Sequence, residues 1–306
     1  MRKKSRSENV YKIGQYEILL DRKIGAGNNS IVYIGRRVDD TEKIIAIKKI
    51  ILKNLSNTYQ KKVTDEIQIM QHIKNNPHIN IVTCYDVIDD LDTVYIIMEY
   101  CDGGDFSKLI GKPMKEENVK YYFRQLINGI KYLNDFGIIH RDIKPKNLLL
   151  TNDKQVLKIC DFGLAKNKMG LSRIYTICGS PLYMAPEMFK DKSYNDNADL
   201  WSIGIILYEM LYGKNPLSQV RDYHELELFM NDNEDINILP NEDTSEECFD
   251  LLRMLLTKDN EKRITLNELY VHKWLFPDKL VECTDNNGEI NKMDDNHDTI
   301  LFKFEQ

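Results

Sequence analysis

The chain has 306 residues, of which 42% are hydrophobic and 29% charged, a composition typical of a globular protein with one large domain or two lobes. Its 42 Lys and Arg against 48 Asp and Glu give a formal net charge of −6, which argues against a nucleic-acid partner bound through bulk positive charge. The longest apolar stretch, residues 201–211, is too short to span a membrane, so no transmembrane segment is expected. The six cysteines show no Cys-x-x-Cys spacing, which excludes a zinc ribbon and favours free thiols in the reducing cytoplasm.

The first third of the sequence has mostly strand-like patterns. Residues 1–15 begin with a basic cluster and are predicted to be a poorly ordered leader. Short β-branched runs at residues 31–34, 44–47 and 94–97 predict strands. Between them, apolar residues at helical spacing predict one helix over residues 58–74.

The rest of the sequence has helical patterns. A period of 3.6 residues predicts a helix over residues 119–133, and residues 198–212 are apolar on nearly every side, as in a buried helix. Two further helices are predicted at residues 251–256 and 266–274. The other predicted segments are a loop at residues 231–247 and an acidic tail at residues 277–306.

Together these elements predict an α+β fold with two lobes. Residues 16–98 are expected to form a small β-rich lobe with one main helix, and residues 105–276 a larger helical lobe. A glycine-containing connector at residues 99–104 would join the lobes, and we expect a cleft between them.

A glycine loop at residues 25–30 precedes the first of the strand-like runs. A dinucleotide-binding fold would need a helix to begin here, whereas residues 31–34 predict a strand. A strand, glycine loop and second strand can instead lay backbone N–H groups over nucleotide phosphates, with the Ser30 hydroxyl as a further donor. A plain hairpin turn is the alternative at this point. The sequence contains no Gly-x-x-x-x-Gly-Lys-Ser/Thr motif, which excludes a Walker-type NTPase.

Lys48 is the first candidate for a phosphate ligand. In a strand it shares a face with Ala46, so a base could rest near Ala46 while the Lys48 ammonium reaches a phosphate. The alternative is a solvated lysine at the end of a strand. A lysine on a buried face needs a carboxylate, and Glu66 lies on the apolar stripe of the predicted helix. Asp65 is turned about 100° away and is expected to be solvated.

The run His-Arg-Asp-Ile-Lys-Pro-Lys-Asn at residues 140–147 is the most specific signal in the chain. Asp142 is placed to position a hydroxyl or accept its proton, and Lys144 can neutralise a moving phosphoryl group. Asn147 offers a neutral oxygen to magnesium. Nineteen residues after Asp142, Asp161 of an Asp-Phe-Gly run would bridge magnesium to the phosphates.

With these motifs the chain resembles eukaryotic-type protein kinases across residues 16–276. The resemblance implies a two-lobed kinase fold that transfers the γ-phosphate of ATP to hydroxyl groups of proteins, with magnesium, or manganese in its place. Lys144 together with residues 179–183 is similar to the serine/threonine branch, and residues 98–105 and 178–187 are similar to the autophagy-initiating kinase group.

The resemblance also implies a set of binding residues. Glu99, Tyr100 and Cys101 would form a hinge that grips adenine through backbone groups, with Met98 behind the base and Asp105 near the ribose. The implied catalytic residues are Asp142, Lys144 and Lys48, and the implied metal ligands are Asn147 and Asp161. The implied nucleotide-binding residues are Ile24, Gly25, Ala26, Gly27, Asn28, Asn29, Ser30, Val32, Ala46, Lys48, Glu66, Met98, Glu99, Cys101, Asp105 and Leu149.

Three further residues are implied to be scaffold. Glu187 should form a buried ion pair with Arg263, and Asp199 should hold the backbone of the catalytic loop. A protein with the same fold but only a binding or scaffolding role is the alternative function. A missing Lys48, Asp142 or Asp161 would favour that alternative, and all three residues are present.

Regulation and substrate choice are expected from the same resemblance. Thr176 stands where the family carries an activating phosphate, which an upstream kinase or a second copy of the chain would add. A phosphate there could pair with Arg141 and Lys166 and order residues 162–186. Relatives that select arginine before the target serine carry glutamate at the position of Lys146, so we expect weak selection for arginine at −3 or −2.

Overall fold

The computed structural model describes residues 9–27, 29–167, 181–190, 197–232 and 234–277. Asn28, Thr176 and the predicted tail from residue 278 onward lie outside the described residues. Within those described ranges, no helix combines the length and apolarity that crossing a membrane requires.

The small lobe is built on a six-stranded sheet in the spatial order β1-β2-β3-β4-β6-β5, in which all neighbours are antiparallel. One face of this sheet carries a small apolar core that includes Ile18, Ile45 and Ile97, while the other face joins the main core of the molecule. The strands are β1 (Val10–Ile13), β2 (Tyr16–Ala26), β3 (Ser30–Arg37), β4 (Ile44–Ile51), β5 (Cys84–Asp90) and β6 (Thr93–Glu99).

The strand β1 corrects one sequence prediction. Residues 10–13, expected in a poorly ordered leader, pair with β2 from Val10 opposite Leu19 to Ile13 opposite Tyr16. Gly14 makes the tight turn between the strands with φ +55°, a conformation that glycine adopts without strain. A four-residue strand with a single lysine has a weak alternation signal, which explains why the pattern did not reveal it.

One long helix, α1 (Asn57–Asn75), completes the small lobe, close to the predicted range. The Ser56 hydroxyl caps its first turn by accepting the N–H of Tyr59. Its buried face includes Val63, Glu66 and Met70, so a carboxylate is carried into the core beside apolar side chains.

The large lobe is mostly helical. Its helices are α2 (Glu116–Asp135), α3 (Pro186–Lys190), α4 (Ala198–Tyr212), α5 (Tyr223–Asn231), α6 (Glu246–Leu255) and α7 (Leu266–Leu269). Its short strands are β7 (Gly104–Asp105), β8 (Ile138–Ile139), β9 (Leu148–Thr151), β10 (Val156–Ile159) and β11 (Lys166–Asn167). These strands form a three-stranded sheet, β10-β9-β7, and a pair, β11-β8.

The helix predictions for this lobe succeed where the pattern is long. The helix α4 occupies the predicted range and lies almost wholly in the core, with Trp201 fully buried. The helix predicted over residues 266–274 is too long, because α7 ends at Leu269 and the chain then turns. The helix α6 begins earlier than predicted because the Ser245 hydroxyl caps it. The predicted two-lobed α+β architecture is confirmed.

Candidate functional site

The register of the small-lobe sheet aligns several of the predicted nucleotide-binding residues. Gly25 lies opposite Val32, Val32 opposite Lys48, and Lys48 opposite Ile96. In the next row along the strands, Ala46 lies opposite Met98. Directly opposed residues share a sheet face, so the glycine strand, Lys48 and the end of β6 face the same side of the sheet.

Lys48 contacts two carboxylates from different parts of the chain. Its Nζ lies 2.5 Å from Glu66 Oε1 and 3.0 Å from Asp161 Oδ1. Glu66 comes from α1, whereas Asp161 follows β10, so the contact joins the small lobe to the large lobe. The sequence predicted a carboxylate partner for Lys48 on the apolar stripe of α1, and the geometry places Glu66 there.

The electrostatics of this triad favour a charged lysine. Burial opposes the charged form of Lys48, but the attraction of Glu66 and Asp161 outweighs it and raises the pKa of the lysine. The same attraction, led by Lys48, lowers the pKa of Asp161. Burial raises the pKa of Glu66 against the pull of Lys48. Asp161 therefore remains ionised at neutral pH, as a metal ligand must be.

The catalytic-loop residues also converge. Lys144 Nζ lies 2.6 Å from Asp142 Oδ2. The side-chain amide of Asn147 donates to the backbone oxygen of Asp142 at 2.8 Å and to its carboxylate at 2.9 Å. Both side-chain contacts meet the same carboxylate oxygen, Oδ2, and so fix the orientation of the Asp142 carboxylate.

A buried aspartate holds the start of this loop. Asp199, in the first turn of α4, accepts the backbone N–H groups of His140 and Arg141, each at 2.9 Å. Arg141 adopts φ +68° and Asp161 adopts φ +65°, so the backbone turns sharply at both motifs. The scaffold role that the resemblance implied for Asp199 is confirmed by these two hydrogen bonds.

Asn147 and Asp161 carry the kinds of oxygen donor that suit a magnesium ion. Because Asn147 uses its amide nitrogen to bind Asp142, its amide oxygen is available to a ligand. Asp161 uses one carboxylate oxygen for Lys48, and its side chain is 50% exposed. One carboxylate and one neutral amide oxygen form a donor set that suits magnesium, which also keeps several water ligands.

The predicted hinge joins the two sheets. The N–H of Gly103 donates to Leu150 in β9 at 2.8 Å, and Leu149 lies opposite Asp105 in the β7–β9 pair. Asp105 accepts the N–H of Ser107 at 3.1 Å. The Cys101 side chain is buried. Leu149 and Asp105 are thus neighbours at the start of the large lobe, where the resemblance places the sugar and the base.

The glycine loop is only partly described. The N–H of Gly27 donates to the Ser30 carbonyl at 2.8 Å, which closes the turn, and the N–H of Ile51 donates to the Asn29 carbonyl at 3.1 Å. Ile24 lies at an irregularity between β2 and β3 and is 46% exposed. Ala26 lies opposite Ile31, one position along from the Gly25–Val32 pair.

The implied structural ion pair is present in the large lobe. Arg263 binds Glu187 through two parallel hydrogen bonds of 2.8 and 2.9 Å, and both side chains are buried. Arg263 also donates to the backbone oxygen of Asn197. The bidentate pair and this backbone acceptor together satisfy the guanidinium. The pair therefore links α3 to the segment that precedes α7.

Two further polar contacts, one at the hinge and one in the large lobe, were not predicted. Lys158 in β10 binds Glu99 of the hinge at 2.8 Å, and the Tyr183 hydroxyl contacts both carboxylate oxygens of Glu209 at 3.0 Å. Lys158 stands within the apolar run Val-Leu-Lys-Ile of β10, which is a signal for a buried partner. Glu209 gives the same signal inside the apolar helix α4.

The family model described as the protein kinase domain matches residues 18–275. The chain therefore belongs to the protein kinase family, as the motifs predicted.

Several serine/threonine kinases are similar to this chain. Serine/threonine-protein kinase atg1 of Dictyostelium discoideum is 41% identical over 275 residues, which cover 86% of this chain and 40% of that protein. Serine/threonine-protein kinase ULK3 of Homo sapiens is 36% identical over 260 residues, which cover 84% of this chain and 54% of that protein. The chain thus spans about half the length of the curated relatives it matches.

Proposed function

We propose that this chain is a serine/threonine protein kinase that transfers the γ-phosphate of ATP to protein hydroxyl groups. The observation that carries the proposal is that two clusters are complete and linked: Lys48 binds Glu66 and Asp161, and Asp142 binds Lys144 and Asn147. The N–H of Cys160, next to Asp161, donates to the Asn147 carbonyl at 2.9 Å and so ties the two clusters together. The kinase names of the similar proteins support the same reaction. A purely scaffolding role would not require both clusters to be complete.

Each cluster has a separate task in the proposed reaction. Asp142 orients the substrate hydroxyl and accepts its proton as the oxygen bonds to the γ-phosphorus and the bond to the ADP oxygen breaks. Lys144 stabilises the negative charge on the transferred group. Lys48, held by Glu66, binds the phosphates. Asn147 and Asp161 would hold magnesium, which supplies positive charge to the phosphate oxygens when bound.

The other nucleotide contacts are part of the proposal. The backbone of Glu99 and Cys101 would bind adenine, with Ala46 and Leu149 above and below the base. We propose that the catalytic domain runs over residues 16–276, with the lobes and hinge at the predicted boundaries. An intracellular location is also proposed, because Cys84, Cys101, Cys160 and Cys248 are free thiols.

An Asp142→Asn variant tests the proposed reaction. We expect wild-type protein with ATP and magnesium to phosphorylate a generic serine/threonine substrate, and the variant to lose at least about a hundredfold in kcat, since the proton acceptor is removed. The measurement is radiolabelled phosphate transfer alongside the nucleotide dissociation constant, which should stay within about twofold.

Asp153→Asn is the matched control, because Asp153 lies in the exposed turn between β9 and β10 and should keep wild-type activity. If wild-type protein binds nucleotide but transfers no phosphate to any substrate, the binding-module alternative replaces the kinase proposal.

We further propose that phosphorylation of Thr176 activates the enzyme, with an upstream kinase or a second copy as the donor. Thr176→Ala should lower kcat about tenfold, because the phosphate that would order residues 162–186 can no longer be added. Ser172→Ala should leave kcat unchanged. Full activity of Thr176→Ala, with no phosphate on Thr176 by mass spectrometry of active protein, would contradict this regulation.

A further inference from the structure

An ion pair behind the hinge lies outside the reaction machinery described above. Lys158 Nζ is 2.8 Å from Glu99 Oε1, with side-chain exposures of 8% and 17%. The same ammonium donates to the backbone oxygen of Ile81 at 3.4 Å. Two opposite charges removed from water in this way must each be satisfied by close partners.

Glu99 binds Thr83 through both its side chain and its backbone. Its carboxylate accepts the N–H of Thr83 at 2.5 Å, and its own N–H donates to the Thr83 carbonyl at 3.0 Å. The carboxylate therefore points toward Lys158 and Thr83, and both of these contacts occupy it. Glu99 can offer a nucleotide only its backbone, and the position of that backbone depends on the side chain behind it.

The lysine end of the pair is equally fixed. The N–H of Val82 donates to the Ile159 carbonyl at 2.9 Å, and the N–H of Ile159 donates to the Asn80 carbonyl at 2.8 Å. The Asn80 amide donates to the Leu157 carbonyl at 3.0 Å. These bonds tie β10 to the segment that precedes β5. The chain passes from β10 directly to Asp161, which contacts Lys48.

We propose that Lys158 is a positioning residue for adenine. Through Glu99 it holds the hinge backbone at a fixed distance from β10. The distance between Asp161 and the backbone groups that bind the base therefore stays constant. This inference rests on the proposed function, since it takes the hinge backbone as the adenine ligand. It predicts an effect on nucleotide affinity and base selectivity rather than on the chemical step.

A Lys158→Met variant tests the proposal. The methionine keeps a similar side-chain length but leaves the Glu99 carboxylate buried without its cation, so Glu99 should move and loosen the hinge. We expect the KM for ATP to rise about tenfold, kcat to change less than about twofold, and the preference for ATP over GTP in kcat/KM to fall about fivefold. A general loss of folded protein would lower kcat for both nucleotides equally.

Two further variants separate positioning from packing. The double variant Lys158→Met with Glu99→Gln leaves neither charge unpaired and keeps an acceptor for the Thr83 N–H, so it should restore the ATP preference to within about twofold of wild type. Lys74→Met is the matched control, because Lys74 forms a more exposed pair with Asp86 at 2.7 Å, and it should leave both parameters unchanged.

Dissociation constants for ATP and GTP, measured by calorimetry, provide a readout that needs no turnover. If wild-type protein binds ATP but transfers no phosphate, the proposed function fails while these constants still test Lys158. Should Lys158→Met not fold, Glu99→Gln alone should lower the ATP preference by a smaller factor. The positioning role is wrong if folded Lys158→Met binds ATP and GTP like wild type, or if only its kcat falls.

Discussion

Charged residues inside apolar runs mark buried ion pairs of this molecule at the scale of single residues. Glu66 lies on the buried face of α1, and Lys158 stands between apolar neighbours in β10. A buried charge needs a partner, so each residue signals an ion pair in the sequence itself. The motif containing Lys48 identified the partner of Glu66. No motif names Glu99 as the partner of Lys158, because that contact depends on how β6 and β10 meet.

At the same scale, the positive charge of Lys146 leads to a prediction about substrate choice. Its exposed side chain projects from the turn next to Asn147, which binds Asp142. No carboxylate of the described residues forms an ion pair with Lys146. Lys146→Glu should raise kcat/KM about five- to tenfold for peptides with arginine at −2 or −3, since repulsion becomes attraction. A peptide array with both enzymes measures this change.

Lys61→Glu provides the control for Lys146, because it makes the same charge change on the exposed side of α1 and should not alter peptide selection. Strong selection for arginine at these positions by the wild-type enzyme would overturn the prediction.

At the scale of elements, one carboxylate joins the starts of helices α2 and α6 to the turn that follows α7. Glu116, in the first turn of α2, accepts the N–H of Ser245 at 2.6 Å, the Ser245 hydroxyl at 2.7 Å and the Trp274 indole at 2.7 Å. Burial opposes its ionisation, but these hydrogen bonds outweigh burial and lower the pKa of Glu116. The ionised form is therefore favoured by the folded protein.

Glu116→Gln should lower the free energy of unfolding by about 1 kcal/mol at pH 7, because the charge on the acceptor is lost. A carboxyl whose pKa is lowered on folding adds stability above its unfolded pKa, near 4.3, and that stability is lost as the pH falls through the folded value. The difference between wild type and variant should therefore be constant down to about pH 5 and shrink as the pH falls from there to about pH 3, as measured by urea unfolding.

The neighbouring Glu117→Gln is the control, since Glu117 is exposed and should leave stability unchanged at both pH values. An equal loss for Glu116→Gln at pH 7 and about pH 3 would show that the charge on Glu116 contributes nothing.

Element boundaries were predictable only where the periodic pattern was long. The buried helix α4 was predicted at its observed bounds because apolar residues fill it. The helix α5 was missed, since four of its nine residues are polar or charged and only Leu226 and Met230 are buried. The strand β1 was missed because four residues carry little alternation. Short elements form through contacts with neighbours rather than through their own propensity.

At the scale of the whole molecule, the cleft depends on contacts that cross between the lobes. Lys48 of β4 meets Asp161 of the large lobe, and Lys158 of the large lobe meets Glu99 at the end of β6. The first contact lies at the phosphate side of the proposed site and the second lies behind the hinge. Both lobes thus contribute charge to each junction, so a change in the angle between them would alter the cleft at both ends.

The sequence alone determined the kinase family, the division into two lobes and the residue types of the reaction. These follow from short motifs and from periodic patterns, which are properties of neighbouring residues. Only the tertiary structure decided that Asp161 joins Glu66 on one lysine, that the N–H groups of His140 and Arg141 are the ones that Asp199 accepts, and that Lys158 pairs with Glu99. Such pairings join residues far apart in the chain, and the free energy that selects them comes from burying each charge beside its partner.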